Sequence, residues 1–191
     1  MLSTHNSTSM PAELLKKFQT TLLFILIITF SAGGQQRQQV LHNLNSLLIN
    51  AVMDDLFNPP ISSRIYCYPN IAFYECIRGE NKSFPSLSKR LNGFPELPVS
   101  ADDSKTDYQL AAAVSFSYVG QSLIGSEYKF EDWRKAYLDS MKQQTDPVIY
   151  GNSVQYGKSV ADSVISWTKR DNYLTTRAMM RYVVSNKDGK W

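Results

Sequence analysis

The stretch FNPPISSRIYCYPN, residues 57–70, contains residue types from which an oxyanion site can be built. Ser63 precedes Arg64, and Asn70 stands six positions after Arg64. A histidine there would supply a nucleophile beside a guanidinium that neutralises a phosphate-like group, as phosphoryl transfer by positioning and charge requires. Asparagine is neutral and cannot carry a phosphoryl group. The same stretch has a second reading as the start of a helix. Asn58 can cap free backbone N–H groups, and Pro59 and Pro60 in the first turn forfeit no helical bond. On that reading Arg64 is a structural contact.

Other chemistry is sparse. The two histidines are His5, in the polar leader, and His42, which falls beside Asn45 and Ser46 on the polar side of a helix. They leave no basis for a His-centred base, a catalytic triad or a histidine metal site. No glycine-rich phosphate loop is present. Cys67 and Cys76 lie nine apart in a helical segment, roughly 13 Å at 1.5 Å per residue, too far to pair. They read as buried or semi-buried thiols, and no further Cys or His completes a metal pair. Glu131-Asp132 falls at a helix start, where acidic residues complement the dipole. Asp102-Asp103 lies in a loop, and the charges of Thr168-Lys169-Arg170-Asp171 read as a solvated helix end. No catalytic, cofactor-binding or metal-binding residue is assigned.

The elements that hold these residues are helices. Residues 1–34 read as an export signal, with Lys16 and Lys17 before the apolar run Leu22 to Phe30 and the small residues Ser31 to Gly34, and with Met10 as an alternative start. An uncleaved anchor is the competing reading, but Gln19, Thr20 and Thr21 interrupt a run that would need about 20 apolar residues. No stable membrane span is expected after cleavage. Loss of Lys16, Lys17 and Glu13 from the 20 basic and 17 acidic residues leaves a nearly neutral chain, which gives nucleic-acid binding no support.

From Arg37 to Phe57, apolar residues recur every three or four positions, which predicts one amphipathic helix. The next runs from Pro59 toward Arg78-Gly79, with Pro69 expected to kink or break it. A short helix is predicted for Ser86 to Asn92, then a connection ending near Asp103 or Ser104. An alanine-rich helix over Leu110 to Ile124 offers small residues for close approach. Phe130, Trp133, Tyr137 and Met141 predict a core stripe on the following helix. The segment after Pro147 places Val160, Ala161, Val164, Ile165 and Thr168 on one face, and a last short helix falls in 173–184. The fold class is all-α, a bundle of about six or seven helices.

Residues 56–75 (LFNPPISSRIYCYPNIAFYE), 86–98 (SLSKRLNGFPELP), 157–173 (GKSVADSVISWTKRDNY) and the closing DGKW together resemble the N-terminal helical half of exported bacterial proteins of the vanadium haloperoxidase and phosphatidic acid phosphatase type 2 superfamily. The resemblance implies a helical bundle incomplete relative to the family's, residues 35–191 being its N-terminal part. It also implies phosphate, or vanadate as its analogue, held by Lys, Arg and His in three blocks downstream of the GKW-like segment. Those blocks are a Lys seven before Arg-Pro, a Pro-Ser-Gly-His, and a Ser-Arg with His six after the Arg. None of the eight prolines follows an arginine, Pro85-Ser86 continues as Leu87-Ser88, and Ser63-Arg64 meets Asn70. No cofactor is therefore assigned to this chain.

Three readings follow. In the first, the chain is the N-terminal portion of an exported acid phosphatase or haloperoxidase-like protein, periplasmic or cell-surface associated and inactive alone. Its exposed apolar helix faces would meet the C-terminal half or a second copy. In the second, it is a self-sufficient exported helical binding or interaction protein on the same scaffold. The third, an enzyme with another site, would need a metal and a carboxylate cluster.

Overall fold

In a computed structural model, residues 39–180 are described, with Glu13, Lys17, Thr21, Asp188 and Gly189. The chain divides into two compact units, Met1–Leu41 and His42–Trp191. The export signal and the DGKW segment fall largely outside the described residues. Within the described part of the first unit, residues 39–41 are helical. Among the described residues all regular structure is helical, and no helix is long and apolar enough to cross a membrane.

Helix α1, described over 39–54, buries Leu44, Leu48, Ala51 and Val52, the face its periodicity predicts, and exposes His42. It ends with Leu56 in the left-handed region, where Phe57 N–H bonds back to Val52 (3.2 Å) and Leu56 N–H to Met53 (3.2 Å). This is the helix-ending arrangement that usually takes glycine. Asp55 ties the corner to a later loop by accepting from Gly125 N–H (2.7 Å) and Ser126 N–H (3.1 Å).

Helix α2, Pro59–Ile77, starts as predicted: Asn58 Oδ1 accepts from Ile61 N–H at 3.2 Å, with Pro59 and Pro60 in the first turn. Of the kink or break expected at Pro69, the break does not occur, since the helix runs through it. Proline forfeits a bond to the Ile65 carbonyl, at a cost of about 3 kcal/mol. Burial of Ile65, Tyr68, Pro69, Ala72, Phe73 and Cys76 along this helix offsets that cost and keeps it continuous.

Residues 86–92, predicted as a helix, are a string of turns. Lys89 and Gly93 both stand at φ 65°, which a right-handed helix cannot contain. Ser86 does not cap a helix; it binds Glu75. After this strap and a short 3-10 turn at Asp103–Lys105, helix α3 runs Tyr108–Leu123, with Asp107 Oδ1 accepting from Gln109 and Leu110 N–H.

Helix α3 is buried on nearly every side and packs against α2, α4 (Tyr128–Gln144) and α5 (Pro147–Arg170). Its small residues do permit close approach: a Cβ on Gly157 of α5 would lie 2.3 Å from the Ala111 carbonyl oxygen. On α4 the predicted core stripe is mostly not core. Only Phe130 is buried, while Trp133 and Tyr137 stack at 4.8 Å half-exposed and Met141 is also half-exposed. The predicted face of α5 is buried at Val160, Ala161, Val164 and Thr168, with Ile165 half-buried. A five-residue helix α6, Tyr173–Arg177, follows.

Candidate functional site

Ser63 and Arg64 lie on the first turns of α2, and Arg64 faces the corner where α5 turns into α6. Arg64 is committed to that corner. Its Nη2 donates to the Asp171 backbone carbonyl (2.7 Å) and to the Asp171 carboxylate, Nη1 donates to Thr176 Oγ1 (2.6 Å), and Nε donates to the Tyr68 hydroxyl oxygen (3.1 Å). The Tyr68 hydroxyl donates to the same Asp171 oxygen, and the guanidinium lies 5.4 Å over the Tyr173 ring. Tyr68 meets Trp167 edge-on at 5.3 Å, and Trp167 meets Phe94 at 4.8 Å.

Asp171, expected in a solvated helix end, is instead the centre of this clasp. Desolvation raises the pKa of its carboxyl, but the Tyr68 hydroxyl and the Arg64 guanidinium outweigh it and hold the group below the usual range. Burial, then the bond to Asp171, pushes the Tyr68 phenol up to about 12.

A carboxyl whose pKa is depressed on folding stabilises the protein above its unfolded value, near ~4, and loses that contribution as pH falls through the folded value. The Asp171 side chain is 42% exposed, so the effect is limited by solvent to no more than about 1 kcal/mol. Urea unfolding of the parent and Asp171→Asn should therefore differ at pH 6 and converge once the Asp171 carboxyl is protonated in strong acid. A pH-independent difference would show that the charge is irrelevant.

Asn70 sits two turns further along α2 in a reciprocal amide pair: its Nδ2 donates to Asn45 Oδ1 (2.9 Å), and Asn45 Nδ2 donates to Asn70 Oδ1 (3.2 Å). A third bond runs from Asn70 Nδ2 to the Tyr66 carbonyl (2.9 Å). The Ser63 hydroxyl donates to the Pro60 carbonyl (2.9 Å). The three residues that suggested an oxyanion site thus serve separate local contacts.

The cysteines are unpaired, as their spacing requires. Cys76 is buried, which raises its thiol pKa, but Cys67 is exposed rather than semi-buried because it lies on the outer side of α2. Asp103 pairs with Lys82 and accepts from the Tyr108 hydroxyl, Asp102 Oδ1 accepts from Ser104 N–H (3.0 Å), and Glu131 accepts from Gln121 (2.8 Å).

One polar centre was missed by the sequence reading. Glu75 on α2 is only 2% exposed, and its carboxylate accepts from Leu87 N–H (2.6 Å) and the Ser86 hydroxyl (3.0 and 3.2 Å), with Arg78 at 3.7 Å. It anchors the strap beside a cavity of about 370 Å³ that Arg78, Ser88 and Tyr156 also line. The signal was available: Glu75 stands three residues after Ala72 and seven after Tyr68, on the buried side of the helical period.

No family model matches the chain, and no curated protein matches it. Among solved structures it is similar to one described as the first bacterial vanadium-dependent iodoperoxidase, with 33% identity and a TM-score of 0.72. That likeness supports the vanadium haloperoxidase superfamily. It covers 79% of this chain and 36% of that one, so the chain spans about a third of the iodoperoxidase's length.

A superfamily member's vanadate or phosphate needs several cations converging on one oxyanion. The cations already paired with a carboxylate do not fit such a group. Arg64 is spent on Asp171, Arg78 adjoins Glu75, and Lys82, Lys89, Lys105, Lys129 and Lys158 each stand beside their own carboxylate. An entering oxyanion would have to displace or abut a fixed negative charge at each of these places.

Proposed function

We propose that residues 35–191 are the N-terminal helical part of an exported vanadium haloperoxidase- or acid phosphatase-like protein, standing apart from its oxyanion site and inactive alone. The observation that carries this reading is the engagement of Arg64 by Asp171, Tyr68 and Thr176 in a chain alike to only 36% of an iodoperoxidase. In this reading the leader 1–34 is removed on export to the periplasm or cell surface. Exposed Met53, Leu56, Met179 and Met180 then offer apolar contact to the C-terminal half or to a second copy.

Vanadate titration of the purified protein, followed by vanadium NMR, tests the proposal together with peroxide-dependent iodide oxidation and phosphomonoester hydrolysis. All three should be blank, and they should stay blank in Asn70→His, because that position points to Asn45 and not to Arg64. A bound-vanadate resonance or turnover in either protein would overturn the assignment. Binding of a hydrophobic dye together with self-association favours the partial-bundle reading. A cooperative, dye-silent monomer favours the self-sufficient binding protein.

A further inference from the structure

We propose that α6 is a latch that swings open at Asn172 while the bundle of α1, α2, α3 and α5 stays folded. A helix of five residues cannot stand alone, since nucleation costs more than so few bonds return. Among the described residues, what holds α6 is one buried side chain and a few polar contacts. Tyr173, 1% exposed, donates its hydroxyl to the Leu123 carbonyl (3.0 Å), and Arg177 Nη1 donates to that same carbonyl (3.1 Å). Arg177 also lies 4.6 Å over the Phe57 ring, and Thr176 takes the bond from Arg64. Leu174, Thr175 and Thr176 face solvent.

The hinge is built in. Asn172 stands at φ 54°, ψ 27°, in the left-handed region, and marks the change of direction between α5 and α6. The Arg64 and Tyr68 bonds to Asp171 lie on the α5 side of that residue and persist when α6 leaves. Opening uncovers the Leu123 carbonyl at the end of α3, the edge of Tyr68 that meets the Tyr173 ring at 6.1 Å, and the Phe57 ring. Among the described residues Tyr173 is the one buried side chain of α6 itself, and with it only an edge of Tyr68 and the Phe57 ring gain water, so the opening free energy is a fraction of the global value.

Amide hydrogen exchange on the full chain tests this. The Thr176 and Ala178 amides, bonded to Asn172 (2.9 Å) and Leu174 (3.2 Å), should exchange at least about tenfold faster than those of Val114 and Phe116 in α3. Tyr173→Phe, which removes the hydroxyl with its bond to Leu123 and its contact with Arg177 but keeps the ring, should speed the two α6 amides a further fivefold or so and leave α3 unchanged. Equal exchange in α6 and α3 of the parent would overturn the proposal, as would uniform acceleration in the variant. If Tyr173→Phe does not fold, Thr176→Val, at an exposed position, gives the same comparison by removing the bond from Arg64 together with the hydroxyl's own bonds to the Asn172 and Tyr173 carbonyls.

Discussion

Glu75→Ala should destabilise the protein by about 3 kcal/mol, the low end for breaking a buried charge pair by removing one partner. It leaves Leu87 N–H and the Ser86 hydroxyl without their acceptor and Arg78 without its counter-charge. For a chain of this length that corresponds to a fall in melting temperature of roughly 10 °C. Glu75→Gln keeps an oxygen for Leu87 and should lose about half as much, mainly the charge-assisted share. The strap should loosen first, because Tyr74 to Pro85 (2.7 Å) and Arg78 to Phe84 (3.2 Å) are then its remaining bonds to α2 at that end. An alanine variant melting within about 2 °C of the parent would mean that the carboxylate is replaceable by water and does not organise the strap.

Gly157→Ala should be of similar size, about 3 kcal/mol, for a steric reason. The added Cβ meets Ala111 backbone atoms at 2.3 and 3.0 Å, and hydrogen-bonded backbone in the first turn of a buried helix cannot rotate aside. The two helices must separate and lose contact along their length. Alanine is the better helix former by about 1 kcal/mol, so without the clash the substitution would stabilise. Gly151, one and a half turns earlier on α5, has nothing within 4 Å of its Cβ position. Gly151→Ala should therefore stabilise by up to about 1 kcal/mol. Urea unfolding of the two variants should move in opposite directions; a stabilised Gly157→Ala would show that α3 and α5 are not in contact there.

The helices were legible because their burial follows local spacing: Leu44, Leu48 and Ala51, or Val160, Ala161 and Val164, need only a period of 3.6. The start of α2 was legible for the same reason, cap and prolines being neighbours in the chain. The sequence reading failed where a distant partner decides. Residues 86–92 carry helix signals, but Glu75 takes Ser86 and Leu87 before a helix can use them. The aromatic stripe of α4 has helical spacing, yet only Phe130 finds the closely fitting Gly120 of α3 to bury against. That Arg64 is structural could be argued from its place near a helix start. That its partner is Asp171, on another helix 107 positions away, could not.

The amide pair of Asn45 and Asn70 joins α1 to α2 without any formal charge, whereas the joint between α2 and the α5–α6 corner depends on an ionised carboxylate. Acid acts on only one of these joints. Neither amide titrates between neutral pH and strong acid, so acidification leaves the α1–α2 seam as strong as before while it weakens the corner. Of these two joints, acid therefore loosens the one where α5 turns into α6 and spares the one between α1 and α2.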